Sequence, residues 1–211
     1  MIKTITFDFG GVLYRYDGEK FLQLLASRSD KSPELLREKM SGSSLDRAHF
    51  KGEVGAEELL EILRGRIGLD MTKEELAEAY AEIVEPNEDM FALVRALKDD
   101  YNLQLYSDTP KLLYEHVMVN MPVFDLFSAK TLSFEVGELK DSPEGYREVI
   151  EKSGHAPGEI IFIDDREEVA AKAKELGING IRFTDMENLV EQLENYGVKL
   201  DGKLEFTGGK A

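Results

Sequence analysis

Apolar and polar positions along the chain fall into two kinds of pattern that exchange twice. Ile2, Thr4, Ile5, Thr6 and Phe7 make a strand-like run that stops at Asp8 and passes straight into Phe9, Gly10, Gly11 and Val12. After Leu13 the spacing becomes helical, with Phe21, Leu22, Leu24 and Leu25 followed by Leu35, Leu36 and Met40 at three- and four-residue intervals. That block carries no evident strand. Helix starts are marked by Ser32, Pro33 and Glu34, by Gly55, Ala56 and Glu57, and by Thr72 to Glu75, which has the capping-box pattern. About four helices of ordinary length fit before Pro86.

From Glu88 onward helices and strands alternate. A helix through Met90, Phe91, Val94 and Leu97 leads to a strand at Leu103 to Tyr106, and a helix through Leu112, Leu113, His116 and Val117 leads to a strand at Ala129 to Leu132. A helix through Tyr146, Val149 and Ile150, a strand at Ile160 to Ile163, a helix from Glu167 to Leu176 stopped by Gly177, and a strand at Gly180 to Phe183 complete the series. This alternation predicts an α/β fold: a Rossmann-like parallel sheet of five or more strands with helices on both faces. The expected division is a core of residues 1–14 and 87–211 interrupted by an all-helical insert at 15–86. An insert rooted beside the first strand end would lie over any site there, excluding water and choosing the substrate. The tail from Asp201 to Ala211 is polar and is expected at the periphery.

Charge and composition narrow the partners. The 211 residues include 42 acidic and 26 basic side chains, a formal charge of -16. Nucleic-acid affinity depends on Lys and Arg releasing counterions, so a nucleic-acid partner is not expected and a small ligand is. There is no cysteine and there are three scattered histidines, His49, His116 and His155. Any metal should therefore be oxygen-ligated. The amino terminus lacks a signal-peptide core and a span long enough for a bilayer, so a cytoplasmic protein without a membrane partner is expected. A monomer and a homodimer are both compatible with the sequence.

Three predicted strand ends carry polar clusters: Asp8; Ser107, Asp108 and Thr109; and Asp164 with Asp165. The carboxyl ends of parallel strands are where α/β proteins bind ligands. Three carboxylates brought together there repel one another and need compensation. Lys140, within Gly137 to Pro143, supplies one positive charge, which is too little for three. A hard divalent cation fits better, with Mg²⁺ as the default and a phosphate oxygen in its remaining position. One carboxylate can then attack phosphorus. Taken singly, Asp164 or Asp165 could cap the next helix, Gly10 and Gly11 could make a turn, and Lys140 could be a solvated charge; the ordered set at strand ends argues for a site. Gly10 and Gly11 lack dinucleotide-binding spacing, and Gly208, Gly209 and Lys210 lack the strand a P-loop requires.

Thr6 to Leu13, Leu105 to Ser107, Gly137 to Tyr146 with Lys140, and Phe162 to Asp165 resemble, in order, the four motifs of the haloacid dehalogenase-like hydrolase superfamily. The resemblance implies that Asp8 is the nucleophile, Ser107 holds the transferred phosphoryl group and Lys140 stabilises its charge. It implies a Mg²⁺ site of Asp8, the Gly10 carbonyl, Asp165 directly and Asp164 through water, with Ser107, Asp108, Lys140 and Gly11 around the substrate. The block from Tyr14 to Pro86 resembles the family's cap, and His49 to Leu60 resembles a subgroup near sugar-phosphate phosphatases and epoxide hydrolase phosphatase domains. The implied activity is Mg²⁺-dependent hydrolysis of a small phosphorylated metabolite, with sugar phosphates leading, through an aspartyl phosphate on Asp8.

One position departs. Family phosphatases usually carry a second aspartate two residues after the nucleophile, as acid and base, and here Gly10 stands there. That catalysis is typically worth a factor of ~100 to ~10,000. Several members of the nearby subgroup also have glycine. Asp17 is a possible substitute, although a turn with Gly18 is its simpler role. Asp108 is another: buried beside Asp8 it would have a raised pKa and could donate a proton. The alternatives are a metal-independent dehalogenase, disfavoured by the retained Asp164 and Asp165 and the absence of Trp; a receiver module, whose acidic pair follows the first strand; and a catalytically weak phosphate-binding or regulatory protein.

Overall fold

The computed structural model describes residues 1–40 and 42–200; the tail expected at the periphery, Asp201 to Ala211, lies outside the described residues. At its centre is β1 (Thr4–Phe7), every residue of which is buried. It is flanked by β4 (Asn102–Ser107) and β6 (Ile160–Asp164), with β5 (Ala129–Leu132) and β7 (Asn179–Arg182) outside them, giving the parallel order β5-β4-β1-β6-β7. Of these, β6 reads as the continuous apolar run expected of a strand covered on both faces, whereas β1, β4, β5 and β7 carry polar residues such as Thr6, Gln104, Lys130 and Asn179 and stand out by alternating with helical segments. The two faces are nonetheless distinct. Ile5, Phe7, Leu105, Ile161 and Ile163 pack with α6 (Glu88–Leu97) and α11 (Met186–Asn195), whereas Tyr106, Ile160 and Phe162 pack with α9 (Glu144–Ser153) and α10 (Glu167–Glu175). The remaining core helices are the short α7 (Lys111–His116) and α8 (Ser133–Val136).

After β1 the chain steps outward to β4 and β5 on one side, then crosses to β6 and β7 on the other. Such a switch point leaves an open crevice at the strand carboxyl ends. Phe7 is in register with Leu105 and with Ile163, so Asp8 and Asp164 come one residue beyond that level and Ser107 and Asp165 two residues beyond it. The Asp8 N–H donates to the Ile163 carbonyl at 2.9 Å, extending the pairing one residue beyond β1.

Among the described residues five helices lie between β1 and α6, α1 (Gly18–Ser27), α2 (Pro33–Met40), α3 (Ser44–Phe50), α4 (Ala56–Ile67) and α5 (Lys73–Glu82). The expected capping box forms at α5: Glu75 N–H donates to Thr72 Oγ1 at 3.2 Å and Thr72 N–H to Glu75 Oε2 at 2.9 Å. Two features differ from the sequence reading. The seven-residue α3 is an additional helix, too short to display a periodicity of its own. The block is also not wholly helical, because it is entered and left through an antiparallel ribbon of β2 (Tyr14–Tyr16) and β3 (Val84–Pro86). Three-residue strands carry too few positions for a period of two to be visible. The Asn87 N–H donates to Leu13 O at 2.9 Å, so the outgoing and returning chain run side by side. Among the described residues no helix is long and apolar enough to cross a membrane.

Candidate active site

The shared register brings Asp8, at the end of β1, beside Asp164 and Asp165, at the end of β6. One carboxylate oxygen from each lies within 4.8 Å of the others. Lys140 reaches into this cluster from the loop between α8 and α9, its Nζ 2.6 Å from Asp8 Oδ1 and 2.7 Å from Asp164 Oδ2. Both Lys140 and Asp164 are fully enclosed. The backbone of Lys140 is held from two sides: its N–H donates to the Asp108 carboxylate at 3.0 Å, and its carbonyl accepts from Tyr146 Oη at 3.0 Å. Its ammonium also lies 5.2 Å and 5.3 Å from the ring centres of Tyr106 and Phe162, within cation–π range.

The charges do not balance within this cluster. Burial pushes the Asp8 carboxyl up to about 8; Lys140 opposes the shift and Asp164 reinforces it. Burial also opposes the Asp164 charge, but Lys140 and Arg166 outweigh it and hold its pKa below the usual carboxylate range. Asp165 is raised by burial and then by Asp164. For Lys140, burial disfavours the ammonium, and Asp8 with Asp164 more than compensates, so its pKa is raised. One ammonium thus serves Asp164 well and leaves Asp8 and Asp165 short of positive charge. Among the described residues Asp165 makes no ion pair. An all-oxygen donor set with excess negative charge fits a hard cation such as Mg²⁺.

Gly11 has φ +76°, and a Cβ there would overlap the Asp165 carboxylate. Glycine is required at this position twice over, by conformation and by the approach of an acid. At Gly10, by contrast, a Cβ would meet nothing within 4 Å. Ser107 is buried at the end of β4, with its Oγ 3.4 Å from the Asp108 carbonyl. Asp108 follows it, and its oxygens accept from Lys140 N–H and from Arg166 Nη2 at 3.1 Å. Engaged in this way, Asp108 ties the Lys140 loop to the start of α10. Asp17 is the N-cap of α1, accepting from Lys20 N–H at 2.9 Å, which is its simpler role.

Arg166 is a site residue that the sequence reading missed. Its backbone N–H donates to Asp164 Oδ1 at 2.9 Å and its guanidinium bonds Asp108, so it links two strand ends. An arginine next to two aspartates reads as a solvated charge, and only the register of β4 against β1 and β6 reveals the bridge.

The helical block meets the sheet close to Lys140. Arg47 pairs with Asp141 at 2.7 Å and Lys51 with Glu138 at 2.9 Å, on either side of Lys140 in sequence. Ser133 Oγ, at the start of α8, donates to the Phe50 carbonyl at 2.6 Å and accepts from Thr109 N–H at 2.9 Å. His49 is buried within the block. A cavity of about 690 Å³ opens from Asp8 and Asp165 into the space between these helices.

A parallel sheet with its acids, lysine and hydroxyl at one switch point defines an α/β protein whose site lies at its strand ends. Comparison with known sequences gives the family: the profile of the haloacid dehalogenase-like hydrolases matches residues 2–177. The chain belongs to this family and is one of its enzymes. It is 27% identical over 184 residues to the D-ribitol-5-phosphate phosphatase of Bacteroides thetaiotaomicron, covering 84% of this chain and 89% of that one. It is 28% identical over 154 residues to flavin mononucleotide hydrolase 1 of Arabidopsis thaliana, covering 71% of this chain and 61% of the relative. Among solved structures, a HAD family enzyme of B. thetaiotaomicron in complex with magnesium and inorganic phosphate superposes with a TM-score of 0.79 at 26% identity, covering 90% of this chain and 99% of that one. A HAD-like hydrolase from Porphyromonas gingivalis gives a TM-score of 0.82 at 24% identity, covering 94% and 99%, a likeness of fold.

Proposed function

We propose that this chain is a Mg²⁺-dependent phosphatase that hydrolyses a small phosphorylated metabolite, sugar-phosphate-like at its phosphoryl end, through a covalent intermediate on Asp8. The observation that carries the reading is the meeting of Asp8 with Asp164, Asp165 and Lys140 at the ends of non-adjacent chain segments. Asp8 Oδ1 is engaged by Lys140 and by the Phe9 N–H, which fixes the carboxylate plane and leaves Oδ2 to attack phosphorus. The new Oδ2–P bond replaces the P–O bond to the alcohol, whose oxygen takes a proton from solvent as it leaves, and water then cleaves the aspartyl phosphate to inorganic phosphate and free Asp8, returning a proton to solvent. Lys140 and the Ser107 hydroxyl hold the phosphoryl oxygens, and Asp108 with Gly11 shapes the loops around them. Asp8, the Gly10 carbonyl and Asp165 would hold Mg²⁺ with Asp164 behind them, and the bound ion supplies neutralisation of the phosphate charge. Asp165 is the acid best suited to direct ligation, since both oxygens of Asp164 already accept from Lys140 and Arg166. Residues 15–86 serve as a cap over a core of 1–14 and 87–211.

The relatives support the substrate class by name: D-ribitol 5-phosphate and flavin mononucleotide are both phosphate monoesters. The test is phosphate release from a panel of monoesters with and without Mg²⁺, with Asp8→Asn as the blank. Release that requires Mg²⁺ and falls at least about a thousand-fold in Asp8→Asn is expected for a lost nucleophile. Release that persists in Asp8→Asn would sink the covalent step. Gly10 favours a second reading, a phosphate-binding regulatory protein, which a wholly inert panel would support.

A further inference from the structure

The cavity that starts at Asp8 and Asp165 has a volume of about 690 Å³, within the ~300–1,000 Å³ span of small-molecule sites. Its two ends differ in chemistry. At the sheet Asp108 and Arg166 face it, whereas deeper in the block Leu22 of α1, Leu59, Leu60 and Leu63 of α4 and Leu76 of α5 make its wall. Polar groups are the minority of the wall, Tyr16, Ser43 and Asp46 among them, and the two deepest in the fold are engaged with each other. His49 Nδ1 lies 2.9 Å from the Val54 carbonyl, which can only accept, so the ring proton sits on Nδ1 and Nε2 accepts the Tyr80 hydroxyl at 3.4 Å. Neither proton is left for a ligand. Glu19 and Arg37, also on the wall, are exposed and ion-paired to each other. Hydroxyls placed against the leucine wall would lose water partners and gain none from those side chains. Interiors are close-packed, and a mostly apolar space continuous with a reactive carboxylate is built to be filled from that end.

We infer that the alcohol half of the substrate carries an extended apolar or aromatic body that occupies this space, so that a bare polyol phosphate fills only its mouth. The inference deepens the phosphatase reading and rests on it for the phosphoryl end. Its test uses the unmodified protein with Mg²⁺ and two matched comparisons. The first is kcat/KM for methyl, hexyl and decyl phosphate and for D-ribitol 5-phosphate against flavin mononucleotide, which adds an aromatic body to the same phosphorylated chain. The second is equilibrium binding of methylphosphonate and decylphosphonate, which cannot be hydrolysed. Each buried methylene group contributes severalfold, so a rise of ten-fold or more from methyl to decyl is expected in both series, with flavin mononucleotide preferred by a similar factor. Leu63→Asn should cut the decyl-to-methyl ratio at least five-fold, with its melting curve recorded alongside. Ratios within two-fold of unity in the unmodified protein overturn the inference and leave the phosphatase reading intact. A preference for decylphosphonate without phosphate release from any ester does the reverse: the cavity assignment stands and the phosphatase reading falls.

Discussion

Gly10 and Gly11 are neighbours with opposite constraints, and substitution separates them. A side chain at Gly10 meets open space, so Gly10→Asp should fold and place a carboxyl two residues beyond the proposed nucleophile. If proton transfer to the leaving group limits turnover, kcat should rise by a factor of ~10 to ~100, part of the typical contribution of such catalysis. An unchanged kcat in a correctly folded Gly10→Asp protein would show that proton transfer is not limiting. Gly11→Ala, with φ +76° and an overlap with Asp165, should weaken Mg²⁺ binding at least ten-fold by titration calorimetry. At this scale the sequence singled out Asp8, Ser107, Lys140, Asp164 and Asp165 as candidates, since each stands at the end of an apolar run or in a motif, and the structure gathers Asp8, Lys140, Asp164 and Asp165. The sequence concealed Arg166 and the partners of Asp108, because those partners come from distant segments brought together by sheet register.

The element that joins the helical block to the site is the Lys140 loop. Glu138 and Asp141 bind Lys51 and Arg47 of the block, while Lys140 between them grips Asp8 and Asp164. Exposed ion pairs contribute roughly 0–1 kcal/mol each, so this pairing adjusts docking more than stability. Reversing both block charges, Arg47→Glu with Lys51→Glu, should raise KM about three- to ten-fold with little change in melting temperature, and adding Glu138→Lys with Asp141→Lys should restore it. An unaltered KM in the reversed protein would make the pairs idle. Strands β1 and β4 to β7 were legible because short β-type segments, of which Ile160 to Ile163 is the plainest, alternate with helical periodicity; α3, β2 and β3 were not, being too short to repeat a pattern. The cavity was equally hidden, since periodicity shows which face of a helix is apolar but not whether the facing helices close the gap.

At the scale of the molecule, the unbalanced carboxylates couple folding, protons and metal. Asp8 has a folded pKa raised from 3.8 to about 8, so without metal its contribution to stability is complete below about pH 4 and is lost as pH rises through about 8. Asp164, depressed by Lys140 and Arg166, acts with the opposite sign: its contribution is present above 3.8 and is lost as pH falls through its folded value. A divalent ion takes the ionised form of Asp8, so binding should release close to one proton below pH 8. The apparent Kd for Mg²⁺ should fall up to ten-fold per pH unit between pH 6 and 8, and the metal-induced rise in melting temperature should grow over the same range. A pH-independent Kd there would exclude Asp8 from the proton balance.

The ribbon of β2 and β3 has a consequence for how such proteins diversify. Because Tyr14 and Pro86 are direct antiparallel partners, the two ends of the intervening segment lie only ~5 Å apart. Any segment whose own termini are that close can be spliced in at this neck, whatever its length, without moving a residue of the five-stranded sheet. Exchanging it would show whether the choice of leaving group travels with the segment, which makes this junction the place to cut for building chimeras.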